Sequence, residues 1–140
     1  MKKLTDKLSV RPQMAADEIR AAKAKGFAAI INNRPDDEEP GQPSAADNRA
    51  VAEAERMGYT HIAVVPGQIS EAQVRAFQSA LSEADGPVLA HCKTGLRSAT
   101  LYVLGEVHDG QMRMDDVAPL GMRLGLDLTG AVKWLDMHAR

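Results

Sequence analysis

Hydrophobic and polar positions along the chain follow two alternating patterns. Three short apolar runs are typical of buried β-strands, at Phe27–Asn32, Tyr59–Val65 and Val88–Ala90. In the other segments apolar residues recur every three or four positions, which predicts helices at Ala15–Lys25, Ser44–Gly58, Ser70 to the break at Gly86, Ser98–His108, Met114–Leu124 and from Thr129 onward. Strand and helix segments therefore alternate through most of the chain.

Capping residues mark three of the predicted helix starts. Ser70 and Gln73 have the spacing of a capping box, in which each side chain accepts a hydrogen bond from the backbone of the other. Ser44 with Asp47 is a weaker form of the same signal. The last helix is expected to begin with Thr129 as its N-cap.

The order of these elements predicts the fold class. Strands separated by helices of this length favour right-handed crossovers and parallel strands. An opening segment, Lys7–Val10, precedes the alternation, and a polar loop rich in proline and acidic residues spans Asn33–Pro43. We therefore expect one α/β domain over residues 1–140, in which helices cover both faces of a largely parallel sheet of four to five strands.

Composition and charge narrow the classes of function. The 140 residues carry a net charge of −2 and 4% aromatic residues, which argues against a nucleic-acid partner. No apolar run reaches 18 residues, and the N-terminus lacks the apolar core of a secretory signal, so we expect neither a membrane span nor a membrane partner. The single cysteine suits a reducing compartment, and we expect the cytoplasm.

The sequence shows no signature of a cofactor or metal site. It contains no glycine-rich dinucleotide motif. His61, His108 and His138 have no ligand spacing with one another or with Cys92. We therefore expect neither an organic cofactor nor a metal.

The most informative segment is HCKTGLRS, residues 91–98, between the last predicted strand and the helix after it. A strand that ends at Cys92 and turns through Gly95 into a helix places the thiol among several free backbone N–H groups. The helix dipole adds positive potential at the same point, so the concavity suits an anion. Gly95 supplies the positive φ that such a turn needs.

The side chains of residues 91–98 add a nucleophile and positive charge to this concavity of backbone N–H groups. The N–H groups would stabilise Cys92 as a thiolate, which is the nucleophilic form of cysteine. Lys93 adds positive charge, and the Arg97 guanidinium can reach two oxygens of a bound oxyanion. Thr94 or Ser98 could hydrogen-bond to the sulfur. The segment therefore indicates an anion site with a nucleophile at its base.

The same residues carry a family resemblance. HCKTGLRS resembles the active-site loop of cysteine-dependent phosphatases and rhodaneses, and LSVRPQ, GFAAIINNRPDDE and GYTHIAVVP resemble the phosphatase-like domain of bacterial beta-lactamase-hydrolase-like proteins. The resemblance covers nearly the whole chain and implies a dual-specificity-phosphatase-like fold and a possible partner among sulfide-metabolising enzymes. It implies Cys92 as the nucleophile, Arg97 as the oxyanion-binding arginine, Ser98 as the hydroxyl that follows it, and a backbone cradle at Lys93, Thr94, Gly95 and Leu96.

The length of the loop leaves the reaction open. Four residues separate Cys92 from Arg97, whereas the phosphatases that the loop resembles have five and the rhodaneses have four. The leading hypothesis is a phosphatase-like hydrolase that acts on a small anionic or phosphorylated substrate through a cysteinyl-phosphate. A sulfurtransferase with a Cys92 persulfide is the second hypothesis, and an anion-binding regulatory module with little turnover is the third.

A phosphatase also needs a general acid to protonate the leaving oxygen. The segment Pro66–Ser70, where the resemblance implies that acid, contains none. Asp36, Asp37 and Glu38, in the loop after the first predicted strand, are the nearest candidates. Asp36 is the expected acid, because it follows the Arg-Pro pair that similar proteins place near the pocket. Arg34 is expected either to line the site or to pair with the acids beside it, and His91 to orient the loop through a hydrogen bond to its backbone.

Overall fold

The computed structural model of the protein describes residues 1–138, in which five strands form one mixed sheet. The strands are β1 (Lys2–Lys3), β2 (Leu8–Arg11), β3 (Ala29–Asn32), β4 (Gly58–His61) and β5 (Val88–His91). The helices are α1 (Ala16–Ala24), α2 (Ala45–Ala54), α3 (Glu71–Glu83), α4 (Leu96–His108), α5 (Val117–Leu124) and α6 (Thr129–His138), with a 3₁₀ turn at Met114–Asp116. The strand order is β1-β2-β5-β3-β4.

Parallel pairing brings the carboxyl ends of four strands to one edge of the sheet. His91, the last residue of the central strand β5, is level with Arg11 of β2 and Asn32 of β3. Asn32 is in turn level with His61 of β4. β1, which the sequence does not predict, adds a two-residue antiparallel edge beside β2. Residues 92–98 begin at this carboxyl edge, where ligand sites form in open parallel sheets.

The sheet separates two hydrophobic cores, because successive residues of a strand face opposite sides. In β5, Leu89 belongs to one core, whereas Val88 and Ala90 belong to the other. The first core lies beneath α1 and α2, and the second beneath the remaining helices. The predicted α/β architecture, with helices on both faces of a largely parallel sheet, is confirmed.

Several predicted elements are longer than the observed ones, and the largest differences are at the ends of β4 and α2. The strand predicted at Tyr59–Val65 ends at His61, and the chain beyond it keeps only single backbone bonds to the end of β3, from Ile62 to Asn32 and from Val64 to Asn33. The helix predicted to reach Gly58 ends at Ala54. Arg56 has a left-handed backbone with φ of 59°, which turns the chain out of the helix.

The predicted capping signals are confirmed at two helices and wrong at a third. The Ser70 hydroxyl accepts the Gln73 N–H at 3.1 Å, and the Gln73 side chain accepts the Ser70 N–H at 2.9 Å. Ser44 likewise caps α2. Thr129 is the first helical residue of α6 rather than its N-cap, because the Asp127 carboxylate accepts hydrogen bonds from the Thr129 N–H and hydroxyl.

The segment predicted as one helix at Met114–Leu124 is a 3₁₀ turn followed by α5. Pro119 lies in the first turn of α5, where its missing N–H would have no helical partner. Gly121 is required by packing, because a Cβ there would lie 2.5 Å from the carbonyl oxygen of Leu126. No helix formed by residues 1–138 combines the length and apolar character needed to cross a lipid bilayer.

Candidate active site

The loop between β5 and α4 bonds to the sulfur of Cys92 through one backbone N–H. This side chain is fully buried, and the backbone N–H of Gly95 donates a hydrogen bond to Sγ at 3.0 Å. Gly95 has φ of 102°, which confirms the predicted turn, and a Cβ there would lie 3.4 Å from the Arg11 backbone. α4 begins at Leu96, two residues earlier than expected, so the loop passes directly into the helix N-terminus.

The guanidinium of Arg97 lies beside this loop and is paired with a carboxylate. Its Nη1 and Nη2 donate to Oε2 and Oε1 of Glu38 at 2.8 and 2.9 Å. Nη1 also donates to the carbonyl oxygen of Val64 at 2.9 Å. The Arg97 side chain is 12% exposed, so these contacts hold the guanidinium in a defined position.

A second guanidinium, that of Arg34, extends the cluster. Its Nε donates to Glu38 at 2.8 Å and its Nη2 to Glu39 at 2.9 Å, while the side chain is only 4% exposed. Glu39 also pairs with the Lys93 ammonium at 2.7 Å. The sequence left open whether Arg34 lines the site or pairs with neighbouring acids, and the structure shows both.

An open cavity of about 290 Å³ lies over this cluster. Its lining consists of Arg34, Glu38, Glu39, Pro66, Lys93 and Arg97. Three cationic and two anionic side chains leave the lining with one net positive charge. A small anion therefore suits this cavity better than an apolar ligand.

The ion pairs hold Glu38 in its charged form. Hydrogen bonding from Arg97 lowers the pKa of Glu38 to about 2, against an opposing effect of burial and with further help from Arg34. Burial by itself would lower the pKa of Arg97, but the hydrogen bond to Glu38 and the charges of Cys92 and Glu38 raise it. At neutral pH the cluster is therefore a network of charged groups.

Asp36, the expected general acid, is engaged elsewhere. Its Oδ1 accepts a 2.8 Å hydrogen bond from the backbone N–H of Ala45, the first residue of α2. The next residue, Asp37, has a left-handed backbone with φ of 62° that turns the chain. The structure therefore corrects the expectation, because the acid it brings to Arg97 is Glu38 and not Asp36.

The hydroxyls of Ser98 and Thr94 have partners other than the sulfur. Ser98 is buried, and its Oγ donates to Oδ1 of Asn33 at 2.8 Å. The Asn33 amide donates in turn to the carbonyl oxygen of Ile62 at 3.1 Å. Thr94 Oγ1 accepts the Leu96 N–H at 3.3 Å. Ser98 therefore ties the start of α4 to the end of β3.

His91 is completely buried beneath the loop. Its carbonyl oxygen accepts the backbone N–H of Asn33 at 2.7 Å. Burial lowers the pKa of His91 to about 4, although the backbone of Cys92 opposes part of that shift. Neither imidazole nitrogen makes a well-formed hydrogen bond within residues 1–138, which differs from the expected bond to the loop backbone. The ring is therefore neutral at pH 7.

The sequence pattern does not single out three contributors to the site. Glu38 and Asn33 lie in the polar loop after a strand. That position generally indicates site residues, but it does not tell which residue of the loop contacts Arg97. Val64 contributes a backbone carbonyl, for which side-chain identity carries no signal. Over the 138 described residues, no three His, Cys, Asp or Glu side chains are arranged to hold a metal ion.

Comparison with known sequences identifies the family. Residues 1–109 match the family model described as beta-lactamase hydrolase-like protein, phosphatase-like domain. The chain belongs to this family. It is 43% identical over 137 residues to a beta-lactamase hydrolase-like protein of Agrobacterium fabrum, and 40% identical over 136 residues to one of Xylella fastidiosa. These matches cover 98% and 97% of this chain but 32% of each relative, so the chain spans about a third of their length.

Solved structures show the same architecture for this phosphatase-like domain. A candidate phosphatase from Neisseria meningitidis is 31% identical, with a TM-score of 0.86 over 99% of this chain and 97% of that one. Tk-PTP in its active form is 19% identical, with a TM-score of 0.71 over 98% and 93% of the two chains. The fold is therefore that of tyrosine and dual-specificity phosphatases, as the resemblance implies.

Proposed function

We propose that this phosphatase-like domain is a cysteine-dependent phosphomonoesterase for a small anionic, phosphorylated substrate. The observation that carries the proposal is the position of Cys92 Sγ, which accepts the Gly95 N–H at 3.0 Å in the loop that leads directly into the helix carrying Arg97. Membership of a phosphatase-like family supports the same reaction class.

The reaction divides into two displacements at phosphorus. In the first, the Cys92 thiolate forms an S–P bond while the P–O bond to the leaving alcohol breaks and that oxygen takes up a proton. In the second, water attacks the cysteinyl-phosphate, giving inorganic phosphate and restoring the thiolate. Arg97 and the backbone N–H groups of residues 93–97 would hold the equatorial oxygens, where negative charge must be stabilised in both steps.

Ser98 takes a different place in this proposal from the one that the resemblance implies. Its hydroxyl is bonded to Asn33, so it positions the first turn of α4 and the backbone cradle. Release of the thiolate by this hydroxyl would require that bond to exchange. The catalytic residues that we propose for the first displacement are therefore Cys92 and Arg97.

A sulfurtransferase is the second candidate, and the length of the loop favours it. Four residues between Cys92 and Arg97 make a smaller ring of N–H groups, which suits a persulfide better than a tetrahedral phosphate. In that reaction Cys92 would take a sulfane sulfur from a donor such as thiosulfate, releasing sulfite, and pass it to cyanide or a thiol.

One pair of assays separates the hypotheses. Wild type and Cys92→Ser are each given 4-nitrophenyl phosphate, and separately thiosulfate with cyanide. Release of nitrophenol by wild type, with loss in Cys92→Ser, is the expected result. Thiocyanate formation without phosphate hydrolysis would instead assign a sulfurtransferase. Turnover of neither substrate by reduced protein would leave the anion-binding module.

The proposal also includes the cellular compartment of the domain and a partner enzyme. We place the domain in the cytoplasm, because a lone cysteine nucleophile stays reduced there. A sulfide-metabolising partner also remains a prediction from the family resemblance, to be checked by purifying the tagged full chain and identifying what accompanies it.

A further inference from the structure

Asn33 lies where the ends of the strands meet the helix of the site. It is fully buried and follows β3 directly, at the carboxyl edge of the sheet. Its backbone N–H donates to the carbonyl oxygen of His91 at 2.7 Å, and its own carbonyl oxygen accepts the N–H of Val64 at 3.0 Å. The main chain of Asn33 is therefore held between the end of β5 and the segment after β4.

The side-chain amide of Asn33 joins two further parts of the site. Oδ1 accepts the Ser98 hydroxyl at 2.8 Å, and Nδ2 donates to the carbonyl oxygen of Ile62 at 3.1 Å. Ser98 lies in the first turn of α4, and Ile62 is the first residue after β4. A buried amide that is bonded at both its polar ends fixes the separation of the groups it joins.

Arg97 is attached to both of these parts. Its backbone immediately precedes Ser98 in α4, and its Nη1 donates to the carbonyl oxygen of Val64 at 2.9 Å. A closed ring of bonds therefore passes from the Arg97 guanidinium through Val64, Asn33 and Ser98 to the Arg97 backbone. Both ends of the arginine are referred to one asparagine.

The contacts of the guanidinium leave one of its edges for a ligand. Nη1 donates to Val64 and to Glu38, and Nη2 donates once to Glu38. Neither partner uses the Nε–H or the second N–H of Nη2, and these two groups form an edge that can bind two oxygens of an oxyanion. The position of this edge depends on how the two ends of Arg97 are held.

We propose that Asn33 is a positioning residue for Arg97. Its amide holds Ser98 and the segment 62–64 at the separation that sets the free edge of the guanidinium in place for the oxyanion. The inference rests on the proposed function, in which Arg97 binds that oxyanion. A misplacement of about 1 Å at a reacting group can cost about 10²-fold in rate, so a residue that acts only through Arg97 has a measurable effect.

The test is a double-mutant cycle on the binding of inorganic tungstate, a phosphate-like oxyanion, measured by calorimetry on the reduced protein at pH 7. We expect Asn33→Ala to weaken binding about tenfold, because the guanidinium edge loses its fixed position. In an Arg97→Lys background, which keeps the charge but has no planar edge, the same substitution should weaken binding less than about twofold. Such coupling is expected only if Asn33 acts through the arginine.

Asn48→Ala is the matched control. Asn48 is likewise a buried asparagine, 2% exposed, and its Nδ2 donates to the carbonyl oxygen of Met14 at 3.0 Å, which joins α2 to the segment after β2. Its loss should lower the free energy of unfolding, measured by urea denaturation, and leave tungstate binding unchanged.

Ser98→Ala provides a second variant, which breaks one of the two side-chain bonds of Asn33. It should weaken tungstate binding about threefold in the Arg97 protein, and this effect should also disappear in the Arg97→Lys background. The linkage is therefore tested even where Asn33→Ala fails to fold.

Three results would overturn the inference. Asn33→Ala could bind tungstate as tightly as wild type, or weaken binding equally in the Arg97 and Arg97→Lys proteins, which would mean that Asn33 only stabilises the fold. Asn48→Ala could weaken binding as much as Asn33→Ala. Because the cycle needs no turnover, a wild type that binds tungstate but hydrolyses no aryl phosphate would refute the proposed function while the positioning role was still measured.

Discussion

The guanidinium of Arg97 sets two N–H groups in one plane against two carboxylate oxygens, the geometry with which arginine recognises a phosphate. A third contact, to the Val64 carbonyl, holds that plane against the segment after β4. A lysine would not reproduce this bidentate recognition, because its ammonium group concentrates the charge at one point and has no rigid, planar pair of N–H groups.

Arg97→Lys tests the geometry while keeping the charge. We expect kcat/KM for 4-nitrophenyl phosphate to fall about 10²- to 10³-fold, the usual cost of losing an oxyanion donor. Arg75→Lys is the matched control, since Arg75 of α3 forms an ion pair with Asp109, the residue that follows α4, and both side chains are exposed. Steady-state rates decide the matter, and an Arg97→Lys enzyme as fast as wild type would contradict the proposed role.

At the scale of elements, two local devices hold the site together. The β5–α4 turn depends on the left-handed backbone of Gly95, and the polar loop after β3 is anchored where Asp36 bonds the first N–H of α2. Each device connects a segment of the site to the N-terminus of a helix. Both can be altered by substitutions that leave the Cys92 and Arg97 side chains in the sequence.

Gly95→Ala should strain the turn, because alanine rarely adopts φ of 102° and the new Cβ would lie 3.4 Å from the Arg11 backbone. We expect the free energy of unfolding to fall by about 1–3 kcal/mol, with loss of activity as the Gly95 N–H moves from Sγ. Urea denaturation measures the first effect. Gly130→Ala in α6 meets nothing within 4 Å and should be neutral or stabilise slightly.

Asp36→Ala should remove the acceptor for the Ala45 N–H and lower the free energy of unfolding by about 1 kcal/mol, the usual cost of a lost helix cap. Asp36→Asn retains an acceptor oxygen and should recover most of that loss. Urea denaturation of the two variants provides the comparison. A phenyl phosphate rate that fell strongly in Asp36→Asn would restore Asp36 as the general acid.

At the scale of the whole molecule, acid should destabilise the fold in two overlapping windows. The folded pKa of His91, about 4, lies below its ordinary value of 6.5, so the unfolded chain binds a proton first as the pH falls. The stability that comes from keeping His91 neutral is complete above pH 6.5 and is lost as the pH falls to about 4. Glu38 ionises with a folded pKa of about 2, so its contribution is lost between about pH 4.5 and 2.

Unfolding by urea at pH 7 and pH 4 should show a loss of about 3 kcal/mol that is attributable to His91. His91→Phe should lack that part of the pH dependence. An independent measurement is the NMR titration of the imidazole in the folded wild type. A midpoint near pH 6.5 for His91 would contradict the prediction, whatever the stability of the variant.

Much of this protein follows from local sequence alone. The apolar runs predict the strands because a buried parallel strand needs continuous hydrophobic residues. Ser70 and Gln73 predict the start of α3, since a capping box involves only neighbouring groups. The strand, turn and helix around Cys92 follow in the same way, because the positive φ at Gly95 is a property of that residue and its neighbours.

The tertiary structure decided which charged groups meet. Asp36 and Glu38 are two positions apart in one acidic loop, yet on either side of the left-handed residue Asp37 one bonds to α2 and the other to Arg97. The burial of Arg34 and the bond from Ser98 to Asn33 likewise join segments that are distant in sequence or depend on the path of a loop. Such pairings depend on packing of the whole chain, which no local pattern encodes.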